Sequence, residues 1–143
     1  MNFEQKVNYM ISCYELRLGN AVLVDKNRRL VSMITAATVF TIGAEEGHSQ
    51  TPSEQSFEQI EPIPLTEDVL KQCGFVYHDY FKFWQLITKG IMSELDINSN
   101  YDVIDFMRRP IIKKVASLHQ LQNVYFMLKG GDFKLDRTAI TTQ

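Results

Sequence analysis

The stretch Arg108-Arg109-Pro110-Ile111-Ile112-Lys113-Lys114 carries four cations in seven residues. Cations beside stacking aromatics hold single-stranded nucleic acid. With Tyr80, Trp84 and Tyr101 brought near, Arg108, Arg109, Lys113 and Lys114 are a candidate nucleic-acid patch. The competing structural reading is a solvated strand edge, where lysines suppress edge-to-edge pairing. A second constellation is His119, Gln122, Asn123 and Phe126, spaced to share one flank of a helix. It is a candidate contact face for a partner protein. Its structural alternative has the imidazole and amides bonding nearby backbone while Phe126 fills the core.

Other reactive side chains lack company. Cys73 ends a helix, where the dipole disfavours a thiolate, and no base accompanies Cys13. Both read as packing residues. The histidines, His48, His78 and His119, contain no i, i+4 pair, and there is no Cys-x-x-Cys, so no metal is expected. His78-Asp79 lacks further ligands, and Glu45-Glu46 lacks the apolar surroundings that raise a carboxyl pKa. No phosphate-binding glycine loop and no nucleophile elbow is present, so neither a catalytic residue nor a cofactor is assigned.

The elements that must position these groups follow from periodicity. Phe3, Val7, Met10, Ile11 and Tyr14 predict a helix over 1–14, or an extension that frays. Residues 21–24 and 30–34 predict a hairpin around a polar turn, 25–29, and residues 38–42 a third strand. Residues 43–56 are polar apart from Ala44 and predict a long loop, and 57–64 an extended piece. Thr66 caps a helix that Gly74 ends, with Leu65, Leu70 and Phe75 clustered around it. Residues 79–107 predict a meander: one strand over 80–87, a turn at 88–90, a strand over 91–97, and another over 101–107. A further strand is expected over 111–115. A helix over 118–129 opens with the capping box Ser117-x-x-Gln120, buries Leu118, Leu121, Tyr125 and Leu128, and stops at Gly130-Gly131. Phe133 to Leu135 would add a short strand before a polar tail.

Three strings stand out together: Glu15-Leu16-Arg17-Leu18-Gly19-Asn20, then Ile60-Glu61-Pro62-Ile63-Pro64-Leu65-Thr66 through Cys73-Gly74-Phe75, then His119 to Phe126. In this order they resemble a family of small uncharacterised proteins of Bacteroides-like genomes and their prophages, with strings of the form ELRIGN, IEPIPLT and HQLQNLYFALTG. The chain departs from that pattern in its longer N-terminus, its enlarged loop at 43–56, and Lys129-Gly130-Gly131-Asp132. The resemblance implies a bacterial or phage setting and no activity. More loosely, Gly19 to Val24 resembles the opening strand of small SH3-like barrels.

The expected fold is therefore α+β in one domain, 1–143. A small antiparallel β half over 15–64, for which an SH3-like form is one option, would pack with a helix, β-meander and C-terminal helix over 65–137. The chain has 143 residues, 45% hydrophobic and 22% charged, which suffices for a core without staples. Its net charge of −2 argues against non-specific nucleic-acid binding. The charge is uneven: residues 30–70 carry seven acids and no Lys or Arg. No apolar run reaches membrane-spanning length, two cysteines make no disulfide framework, and no signal-peptide pattern opens the chain. A cytoplasmic location with no membrane partner is expected. The leading expectation is a non-enzymatic interaction protein that meets another protein or itself. A nucleic-acid module using 108–114 and a small enzyme with an unrecognised site are the alternatives.

Overall fold

The computed structural model describes residues 10–44, 51–87, 93–133 and 135. The N-terminal helix predicted over 1–14 lies outside the described residues as far as residue 9. Beyond that point the chain makes a 3-10 turn, Cys13–Glu15, rather than an α-helix. Ser12 and Glu15 close a capping box around it: the Tyr14 N–H reaches Ser12 Oγ at 3.2 Å, and the Ser12 N–H reaches Glu15 Oε1 at 3.0 Å.

Two antiparallel sheets follow. The first comprises β1 (Ala21–Val24), β2 (Asn27–Ile34), β3 (Thr38–Gly43), β4 (Ser53–Ser56) and β5 (Ile60–Glu61), ordered β4-β3-β2-β1-β5. It curls into a half-barrel. A bulge between Val31 and Met33 interrupts the β2–β3 register, and bulges increase local twist. The second comprises β6 (Phe75–His78), β7 (Phe83–Leu86), β8 (Leu95–Asn98), β9 (Val103–Ile104) and β10 (Pro110–Ile112), ordered β10-β9-β8-β7-β6. Helix α1 (Glu67–Gln72) and helix α2 (Leu118–Lys129) complete the mixed α+β fold.

Several boundaries depart from expectation, each for a local reason. The β1–β2 turn is only Asp25-Lys26, both at positive φ, so Arg28 and Arg29 lie in β2 rather than in the turn. That is the geometry a two-residue hairpin wants. The loop expected over 43–56 contains β4, although none of its residues is apolar. Polar side chains pin it instead. Thr41 Oγ1 donates to Gln55 Oε1 at 2.8 Å, and Arg29 bridges Thr41 Oγ1 at 2.7 Å and Ser53 Oγ at 3.1 Å. Strand β6 starts directly after Gly74, and the chain then turns through Asp79–Lys82, so the strand expected at 80 starts at Phe83. Positive φ at Tyr101 and Arg108 confines the strand expected over 101–107 to β9. The expected 111–115 strand is β10, ending at Ile112. The turn at 88–90, Glu45, Glu46, His48, Lys134 and the tail after 135 lie outside the described residues. Phe133 and Leu135 carry no strand.

Helix α2 has the expected ends. Ser117 Oγ accepts from the Gln120 N–H, and Gly130 takes a left-handed φ of 77°. The reciprocal half of the box is shifted by one residue: Gln120 Oε1 accepts the Ala116 N–H at 2.9 Å, not that of Ser117. Leu118, Leu121 and Tyr125 are buried, whereas Leu128 is exposed.

The main core joins Ala21, Leu30 and Ala44 of the first sheet region to Leu70, Phe75, Trp84, Ile97, Leu118 and Leu121. A second core gathers Ile11, Leu16, Val22, Val24, Val31, Val39 and Ile60. Strand β1 therefore feeds both, with Ala21 in one and Val22 and Val24 in the other. Burial on both faces is why its sequence is a continuous apolar run rather than an alternating one.

Candidate functional site

The polar flank of α2 meets the chain's own N-terminal segment. His119 is fully buried; its Nε2 lies 2.9 Å from Glu15 Oε2 and its Nδ1 3.2 Å from Ser117 Oγ. A carboxylate only accepts, so Nε2 carries the proton and Nδ1 accepts from the serine hydroxyl. Burial lowers the His119 pKa, against the opposing pull of Glu15. Gln122 Oε1 accepts the Ala21 N–H at 2.9 Å, and Gln122 Nε2 donates to the Gly19 carbonyl at 3.1 Å. Asn123 Nδ2 donates to the Glu15 carbonyl at 2.8 Å, while its Oδ1 accepts from Asn20 Nδ2 at 2.9 Å and Arg17 Nη1 at 3.2 Å.

Next to this junction, Leu65 N–H reaches the Ala116 carbonyl and Leu118 N–H the Ile63 carbonyl, each at 2.9 Å. Residues from all three sequence strings thus meet around the first turns of α2. Of the four residues expected to form a partner face, His119, Gln122 and Asn123 are committed to this internal junction. Phe126 remains 40% exposed, with the Arg17 guanidinium 3.8 Å from its ring centroid.

Phe126 opens into a cleft of about 760 Å³. Its walls are the turn at Tyr14–Arg17, the link from Ile112 to Val115, and the outer face of α2. Tyr14 is 96% and Met127 80% exposed, and Lys113 and Lys114 stand on the rim. Sequence reasoning missed Tyr14, which periodicity placed on the apolar face of an N-terminal helix. Met127 carried a usable signal, since it falls off the Leu118–Leu121–Tyr125 stripe. Lys114 sits at φ 55°, fixed there by its N–H on Asp102 Oδ1 at 2.8 Å. Asp102 is buried and is itself held through its N–H on Asn98 Oδ1 at 3.0 Å.

The basic stretch is divided. Arg108 lines a different cleft, of about 590 Å³, on the second sheet. Its guanidinium lies 4.0 Å from the Phe81 ring centroid, and Phe106 beside it is 89% exposed. Arg109 is paired with Asp105 at 3.0 Å. Glu94, Asp96 and Asp105 also line this cleft. Two of the three aromatics expected to accompany the cations are engaged elsewhere. Trp84 is buried against Tyr77, and Tyr101 packs on the main core. Tyr80 is exposed and stacks edge-on against Phe81.

The remaining candidates offer no reacting group. Cys73 is buried, and burial pushes its thiol up to about 12 despite nearby Arg28. Native protein treated with an aromatic disulfide reagent is expected to yield one accessible thiol, from half-exposed Cys13, and a second only on unfolding. Two fast thiols in native protein would contradict this packing of Cys73. Among the described residues no cluster of three His, Cys, Asp or Glu could hold a metal, and no helix is long and apolar enough to cross a membrane. No family model, no curated protein and no solved structure matches the chain.

Proposed function

We propose that this protein is a non-enzymatic interaction module that receives a protein partner in the cleft between the Tyr14–Arg17 turn and α2. The observation that carries the reading is the exposure of Tyr14, Phe126 and Met127 around one concavity whose walls are rigidly hydrogen-bonded. Large apolar side chains left in water around a groove are what partner surfaces are made of. The engaged state of His119 and Cys73 supports a binding role over catalysis. For the first sheet, the order β4-β3-β2-β1-β5 with a 3-10 turn, Phe57–Gln59, between β4 and β5 supports the SH3-like reading. Such a barrel is a scaffold and implies no activity. The three strings that resemble prophage proteins support a role as an accessory factor of a mobile element.

The test uses residues that the fold does not need. Tyr14→Ala with Met127→Asp is expected to cost no more than about 1 kcal/mol, chiefly from a carboxylate in the last turn of α2, and to leave the protein folded. The same variant should lose the partner that wild-type bait captures from a host lysate. Equal capture by both baits would remove the cleft from consideration.

The nucleic-acid alternative rests on Arg108 stacked over Phe81 beside exposed Phe106. The three carboxylates in that cleft and the separation of Lys113 and Lys114 from it weigh against a polyanion. Labelled single-stranded DNA, duplex DNA and RNA are expected to show no saturable binding at low salt. Micromolar binding with a salt slope that Arg108→Ala reduces would reverse the preference.

A further inference from the structure

We infer that the partner segment seated in the Tyr14–Met127 cleft is an acidic amphipathic helix; this rests on the cleft being the partner site. Charge gives the first reason. Lys113 and Lys114 stand exposed on its rim, and among the described residues neither is in an ion pair. On the rest of the wall, Arg17 holds Asp132 at 3.0 Å, and the Glu15 carboxylate accepts from the neutral His119 ring at the inner end of the cleft. Lys113 and Lys114 thus bring two positive charges to the rim of an apolar floor. A partner that lays apolar side chains on that floor and carboxylates on the rim complements both.

Backbone chemistry disfavours the other common mode of peptide capture. A peptide added as a strand needs a row of free N–H and C=O groups. Here Pro110 has no N–H, and the N–H groups of Lys114 and Val115 are committed to Asp102 Oδ1 and Tyr101 O at 2.8 and 2.9 Å. The rim offers a short, interrupted ladder, which favours recognition through side chains, as for a helix in a groove. Met127 suits that role, because an unbranched thioether repacks around varied anchors. A nucleic acid is the poorer fit. It would need more free cations than two and several flat rings to stack on, whereas Phe126 is already under Arg17 and leaves Tyr14 as the one exposed ring among the lining residues.

The experiment is fluorescence anisotropy of the full chain with a labelled peptide of about 16 residues. One peptide has leucines at i, i+3, i+4 and i+7 with glutamates flanking them; a second has glutamines in place of the glutamates. The glutamate peptide is expected to bind in the range of about 10–100 µM and the glutamine peptide about tenfold more weakly. Lys113→Gln with Lys114→Asn should erase that difference, asparagine being chosen because it tolerates the left-handed backbone at 114. Equal binding of both peptides, lost in Tyr14→Ala with Met127→Asp, would overturn the acidic partner while leaving the cleft as the site. Failure of both peptides up to about 1 mM would overturn both readings. Binding of an oligonucleotide or of anionic lipid vesicles through the two lysines, without binding of the peptide, would overturn the helix in favour of that ligand.

Discussion

Gln122→Ala is expected to destabilise the fold by about 3 kcal/mol, with the urea midpoint falling and the slope unchanged. The amide is buried and serves two backbone groups of the N-terminal segment at once. It accepts from the Ala21 N–H at 2.9 Å and donates to the Gly19 carbonyl at 3.1 Å. Ala21 is fully buried, so its N–H would find no water after truncation. One orphaned buried donor costs about 1–3 kcal/mol, and the lost side-chain volume adds to that. The site is also where the first sheet is fastened to α2, since β1 lies between both cores. Met127→Ala, five residues along the same helix and 80% exposed, should change stability by less than about 0.5 kcal/mol. A loss below about 1 kcal/mol for Gln122→Ala would mean that α2 does not pin β1 through this amide.

This result bears on what the sequence could reveal. The polar-aromatic flank of α2 was legible from spacing, and so were the helix ends, because Ser117 and Gly130 are local signals. Whether that flank faces a partner or the same chain is not local information. The groups it binds lie about a hundred positions away: Glu15 pairs with His119 across a separation of 104 residues, and Gly19 with Gln122 across 103. The apolar strands β1 to β3 could be read because burial writes itself in hydrophobicity. Strand β4 could not, since Ser53, Glu54, Gln55 and Ser56 are held by Arg29, Thr38 and Thr41 through polar bonds. The strand ends in the second sheet were missed for another reason. The turns at Lys82, Tyr101 and Arg108 use positive φ without glycine, and nothing in such residues announces it. The basic stretch looked like one patch in sequence. Strand β10 carries its two halves to different clefts.

Stability is expected to fall as pH drops below about 6.5, the range where an unperturbed histidine takes up its proton, and His119→Gln should remove that fall. Burial lowers the His119 pKa in the fold, more than Glu15 raises it. The unfolded chain therefore binds more protons than the native one between the two values. Stability must then rise with pH across that window and be complete above the unfolded pKa. One proton limits the slope to about 1.4 kcal/mol per pH unit. The geometry agrees with the sign, because the neutral ring satisfies both neighbours, donating to Glu15 and accepting from Ser117. A second proton on Nδ1 takes away the acceptor of the Ser117 hydroxyl, which must rotate to receive Nδ1–H while still holding the Gln120 N–H of the helix cap. Protonation therefore disturbs the start of α2, where all three sequence strings meet. Asp105 gives a separate, lower window. Bonds from Arg109 hold its carboxyl below the usual range, so its contribution is lost only in stronger acid. The measurement is the urea midpoint of both proteins between about pH 7.5 and 5. His119→Gln will be the less stable at neutral pH, having lost a buried pair, yet its profile should run flat. A wild-type midpoint that rises as pH falls would show that the imidazolium–carboxylate pair wins over burial, and the neutral assignment of His119 would be wrong.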